Sequence, residues 1–143
     1  MKLNAYLNFD GNCEDAFKFY QRCLGGEILA MMRFGETPAA EHVPAESRHK
    51  IMHACHEVGD QMLMGSDCTP DHPYEGVKGC SVAIVLKDPA EAERIFGALS
   101  ENAQTIIMPL QETFWATRFG MLVDQFGVSW IVNGCDKPPA ATH

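Results

Sequence analysis

No stretch of this chain approaches the ~20 consecutive apolar residues that a membrane-spanning helix needs, and Met1-Lys2-Leu3-Asn4-Ala5-Tyr6 lacks the long apolar stretch of a signal peptide. Basic residues are scarce. Lys plus Arg is 11 against 19 Asp plus Glu, a formal net charge of −8, which argues against nucleic acid or an anionic membrane as the main partner. None of the six cysteines stands in a C-x-x-C pair, so a zinc ribbon and a thioredoxin motif are absent. There is no G-x-S-x-G elbow, no P-loop and no dinucleotide fingerprint. The expectation is a cytoplasmic protein whose free thiols act as small hydrophobes.

What is present is 143 residues, 46% of them hydrophobic. A chain of this size buries roughly 68–70% of its unfolded surface and needs no staples. It makes one domain, or two very small halves that share a core.

Leu3 to Phe9 alternates apolar with polar residues and predicts a strand. Asp10-Gly11-Asn12 marks a turn and a helix cap. A helix from about Cys13 to Leu24 carries one apolar stripe, Ala16, Phe19, Tyr20 and Cys23, and Gly25-Gly26 ends it. Glu27 to Phe34 reads as a strand. Gly35 to Arg48 is polar, either a lid or a loose surface loop. His49 to Val58 and Gln61 to Ser66 are strands joined by Gly59-Asp60, the residues of a tight hairpin turn. A linker with Pro70, Pro73 and Gly76 follows, and then the pattern restarts.

Cys80 to Lys87 is an apolar strand. Asp88-Pro89 opens a helix striped by Ala92, Ile95, Phe96 and Leu99. Ala103 to Met108 is a strand, and Phe114 to Val123 with Val128 to Asn133 forms a closing hairpin across Asp124 to Gly127. From Gly134 the tail is expected to fray. The order is β-α-β-β-β twice, and each residue of the second helix stripe lies 76 positions after its counterpart in the first, as in Ala16 and Ala92. Such self-similarity signals duplication, and two copies point to a paired α+β module. The expected boundaries are 1–68 and 79–135 for the modules, which together make one domain, with a linker at 69–78 and a tail at 136–143.

These segments carry a resemblance. YLNFDGNCEDAFKFYQRCLGG (6–26), KIMHA (50–54), VGDQMLMGSD (58–67) and FWATRFGMLVDQFGVSW (114–130) are similar to the vicinal-oxygen-chelate superfamily of glyoxalases, bleomycin-resistance proteins and dioxygenases. Within it the chain resembles the PhnB-like branch, often labelled after demethylubiquinone methyltransferase. The resemblance implies that each module curls its sheet around a concave, ligand-holding face. Many family members carry Gly where this chain has Ala116 and Pro where it has Gln125.

In metal-dependent members His, Gln and Glu ligands come from four strands. Laid on that pattern, the positions hold Ala5, Met64, Val82 (or Ser81) and Ile131. Hard divalent ions need carboxylate, imidazole or water oxygens, and a slip of one on the first strand offers only Asn4 or Tyr6. No cofactor is expected, and a divalent metal is disfavoured. The methyltransferase label has no support from a glycine-rich strand-to-helix loop.

His49 to His56 holds three histidines. On a helix, His49, His53 and His56 would share a face. On the strand that the hairpin favours, His49 and His53 share a face with Cys55 and Glu57, and His56 points away. Strand residues four apart are separated by ~13 Å, too far to chelate one ion readily. His53, in the family-like KIMHA stretch, is either a polar group of the cavity or a hydrogen-bonded sheet histidine. Asp67 either works at the cavity rim or caps a turn.

Trp115 and Phe119 either line a ligand cavity or pack in the core. Arg118 either holds an anionic group from an inward face or is surface. Met64 lies at a presumed ligand-facing position. The expected function is metal-free binding of a small molecule by a homodimer. The alternatives are a lyase or isomerase using His53 and Asp67 for acid–base work, and an interaction protein with a filled cavity.

Overall fold

The computed structural model describes residues 1–137. The chain divides into two compact units, residues 1–78 and 79–143, and each is a βαβββ module of an α+β fold, as expected.

In the first unit, β1 (Ala5–Phe9) leads into α1 (Cys13–Leu24), followed by β2 (Glu27–Arg33), β3 (Ile51–Val58) and β4 (Gln61–Asp67). The sheet order is β1-β4-β3-β2, with β1 parallel to β4 and the other pairs antiparallel. The expected stripe of α1 is buried, together with Cys13 and Phe17. Phe17 meets Phe9 and Tyr20 edge-on at 6.0 Å each. Burying one such side chain contributes about 1.5–3 kcal/mol, so these contacts dominate how the helix is held. The helix comes so close to the sheet that a Cβ on Gly65 would stand 2.9 Å from the Phe17 ring. The polar segment after β2 is three short 3₁₀ turns, at Phe34–Glu36, Pro38–His42 and Ala45–Ser47. Thr37 caps the second by accepting from the Ala39 amide, ahead of Pro38.

The second unit repeats the plan with β5 (Val82–Leu86), α2 (Pro89–Leu99), β6 (Thr105–Gln111), β7 (Ala116–Val123) and β8 (Ser129–Asp136), in the order β5-β8-β7-β6. Ala92, Ile95, Phe96 and Leu99 are all buried, and Asp88 caps α2 through the Ala90 amide at 3.0 Å. Gly120 and Gly134 let α2 lie on the strands, since a Cβ would stand 2.6 Å from Phe96 at the first and 2.4 Å from Ala92 at the second. Asp124 is fully buried. Its carboxylate accepts from the Phe126 and Val128 amides and from Trp130 Nε1, which locks the β7–β8 turn, while Gly127 takes φ +87°.

Several boundaries differ from expectation. β6 runs to Gln111 through Pro109. It is an edge strand, and its pairing skips from Met108 to Gln111, so the missing proline amide breaks no ladder bond. Gly134 to Asp136 belong to β8 instead of a frayed tail, because Ala116 pairs with Asp136. The rest of that expected tail, 138–143, lies outside the described residues.

Gly26 follows the end of α1 at φ +80°, and a Cβ there would stand 2.0 Å from the Glu57 carbonyl oxygen. Gly26→Ala combines a left-handed backbone penalty of roughly 1–2 kcal/mol with overpacking of roughly 1–3 kcal/mol. Urea unfolding should show the variant about 2–5 kcal/mol less stable; unchanged stability would contradict the close approach.

Candidate functional site

Strand alternation and one covering helix decide which side chains each sheet leaves uncovered. In the first unit Leu7 and Phe9 of β1, Ala54 and His56 of β3 and Leu63 of β4 are buried on the helix side. His56 is fully buried. It meets Phe17 edge-on and hydrogen-bonds the Gly25 carbonyl at 2.7 Å, so Nε2 carries the proton. The opposite face presents Tyr6 and Asn8 from β1, Met62, Met64 and Ser66 from β4, and His53 and Cys55 from β3. Tyr6 stacks on His53 at 5.9 Å, and their Oη and Nδ1 atoms are 3.3 Å apart. The expected split of His53 from His56 is found; His49 lies before β3.

Asp67 has a different place. It is buried, with one carboxylate oxygen accepting the Cys13 amide at 2.9 Å and the other the Ile51 amide at 2.8 Å. It therefore caps α1 from the end of β4, where a cap from the Asp10-Gly11-Asn12 turn was expected; Asn12, at the N-cap position, makes no side-chain capping bond. The carboxylate also favours the positive end of the helix dipole. Burial, then Asp67 and Glu14, push the Cys13 thiol well above its ordinary value, so this cysteine stays a small hydrophobe. His53 and Asp67 are not brought together, because they lie on opposite faces of one sheet.

A cleft of about 620 Å³ opens beside the uncovered face, lined by Asn8, Ser66, Asp67, Phe34, His42 and His72 among others, so Asp67 reaches the cavity rim as well as capping α1. Asn8 and Ser66 are cross-strand partners two residues along their strands from Tyr6 and Met64, so the cleft borders one end of that face. The walls come from the 3₁₀ segment after β2 and the turns after β4. Sequence reading missed Tyr6, Asn8 and Ser66. The signal was their alternation with Leu7, Phe9 and Gly65. His72 and Glu75 are exposed, as expected of the linker, yet they form part of this wall.

In the second unit Phe119 lies on the uncovered face as the partner of Asn133, beside Met121 and Ile131. Trp115 precedes β7 and packs edge-on between Phe114 at 4.7 Å and Phe119 at 5.2 Å. Arg118 points to the helix side, where Glu93 of α2 takes its Nε at 2.9 Å. It is therefore committed to α2, on the face opposite Phe119.

The family metal pattern does not fit these donors. Ala5 and Val82 share the helix-side register with Leu7 and Trp130, one residue out from the uncovered face. The uncovered neighbours are Tyr6 and Met64 in the first unit, and Ala83 and Ile131 in the second. None supplies an imidazole or carboxylate, and among the described residues no three of His, Cys, Asp and Glu gather. Hard and borderline divalent ions favour such ligands.

Comparison with known proteins agrees with the fold. Residues 1–133 match the family described as 3-demethylubiquinone-9 3-methyltransferase. The chain is 37% identical to protein YjdN of Escherichia coli, covering 97% of this chain and 99% of that one. It is 48% identical to protein PA1353 of Pseudomonas aeruginosa, whose crystal structure superposes with a TM-score of 0.86 over 94% of this chain and 97% of that one. A glyoxylase/bleomycin resistance protein/dioxygenase domain from Frankia shares the fold, with a TM-score of 0.65 at 11% identity, over 94% of this chain and 97% of that domain.

Asp67→Asn turns one acceptor toward a buried amide into a donor and should cost about 1.5–3 kcal/mol. His53→Ala, on the uncovered face, should stay within about 0.5 kcal/mol. Equilibrium unfolding of both variants checks this contrast; equal costs would overturn the separation of structural and site-facing roles.

Proposed function

The chain belongs to the 3-demethylubiquinone-9 3-methyltransferase family, a PhnB-like branch of the vicinal-oxygen-chelate superfamily, and from that premise we propose that it binds a small organic molecule without the superfamily's metal. The observation that carries this reading is the 620 Å³ cleft at the end of the uncovered face of the first sheet, with Asn8 and Ser66 shared by both. That volume falls in the roughly 300–1,000 Å³ range of small-molecule sites. Met64 supplies a polarizable apolar contact, and the Tyr6–His53 pair supplies a few placed hydrogen-bonding atoms. The ligand class is an uncharged molecule with an apolar body, since a net charge of −8 disfavours anions. In the second unit Trp115 and Phe119 offer an aromatic wall for the same class of ligand. Arg118 is left out of this reading because Glu93 holds it.

A second reading, acid–base chemistry on a bound molecule, is favoured by the contact between Tyr6 and His53. Imidazole titrates near neutral pH, and a phenol within hydrogen-bond reach can relay its proton. Tyr6 is the group beside His53, whereas Asp67 lines the cleft while its oxygens hold the Cys13 and Ile51 amides. The chain works as a homodimer in the cytoplasm under either reading, with neither nucleic acid nor membrane as partner.

Ligand-observed NMR with a library of small aromatic and aliphatic compounds tests the first reading. Binders should be found, and Met64→Lys, with fold verified by circular dichroism, should weaken them at least tenfold. Binders indifferent to this substitution would sink the assignment. Light scattering should give the mass of two chains; a mass of one at working concentration would refute the dimer.

A further inference from the structure

We propose that the uncovered face of the first sheet also holds a monovalent d¹⁰ cation, Cu(I) or its analogue Ag(I), on sulfur. Cys55 of β3 faces Met64 directly across the β3–β4 ladder, and the Cys55 thiol lies 2.8 Å from Met62 Sδ. On the other side of β3, Met32 is the cross-strand partner of His53, which shares a face with Cys55. One thiol and two thioethers, Cys55, Met62 and Met64, thus occupy adjacent positions on two neighbouring strands, with His53 and Met32 further along the same face. β4 shows the contrast with ordinary core filling: Leu63 and Gly65 turn to the buried side, and Met62 and Met64 turn away from it.

The donor chemistry selects the ion. Thiolate and thioether ligands favour Cu(I), whereas carboxylate and imidazole sets suit harder ions, and among the described residues no such set gathers. Charge points the same way. Thioethers are neutral, so one thiolate with one monovalent ion leaves no net charge on a half-buried face, whereas a divalent ion would leave one uncompensated. On binding, the S–H bond breaks, the S–metal bond forms and the proton leaves to water; no electron is transferred. The inference goes beyond the small-molecule reading and does not rest on it, because the metal alone is the probe.

The reduced full chain, carrying ¹³C-methyl methionine, is titrated with Ag(I), and with Cu(I) anaerobically against bicinchoninate. Saturation at one ion per chain is expected, with shifts of the Met62 and Met64 methyl signals. Met62→Leu combined with Met64→Leu should weaken binding at least tenfold, and Cys80→Ser, at an exposed thiol, should leave it unchanged. Unmoved Met62 and Met64 methyls would overturn the proposal, and so would a folded double variant that binds as tightly as the parent. The methyl readout needs no variant, so a double variant that failed to fold would leave the test intact.

Discussion

An extended strand hands alternate side chains to opposite faces of its sheet, and each sheet here has one short helix to cover one face. The rest of the structure depends on that constraint. Once Phe9, Ala54, His56 and Leu63 are committed to the α1 side, Tyr6, His53, Cys55 and Met64 are committed to the other. A shift of one residue would exchange the two sets wholesale. Chemistry on the uncovered face is therefore set by packing on the covered one. In the second unit the same logic places Phe119 on the uncovered face and sends Arg118 to Glu93 of α2.

Two buried carboxylates make the modules specific. Asp67 ties the first turn of α1 to the start of β3, bonds that span 54 and 16 residues of sequence. Asp124 does local work, organising the turn that precedes β8 and fixing Trp130. A buried carboxylate that accepts several amides is well satisfied, and hydrogen bonds to charged groups are the stronger ones. The oxygens of Asp67 and Asp124 are committed to holding backbone amides in place. His53, with Tyr6 beside it on the uncovered face, carries no such structural load.

Much of the architecture was legible. The paired stripes at Ala16, Phe19, Tyr20, Cys23 and at Ala92, Ile95, Phe96, Leu99 located both helices, because helical periodicity is a local property. Gly127 marked the last turn for an equally local reason, its positive φ. Asp67 was ambiguous because its two partners are distant in sequence, and no spacing rule reports them. Strand alternation separated Arg118 from Phe119, but only the position of Glu93 on α2 says which of them faces the helix. The same one-residue ambiguity put Ala5 and Val82 in the metal pattern, where the uncovered residues are Tyr6 and Ala83. Tyr6 went unremarked as a partner of His53, since the contact bridges strands that are not neighbours.

The assignment of faces is tested most directly by proton–proton Overhauser contacts from the histidine rings. The account requires contacts from His56 to Phe17 and from His53 to Tyr6, with none from His53 to Phe17. Contacts between His53 and the Phe17 ring would reverse the register of β3 and contradict the account at its root.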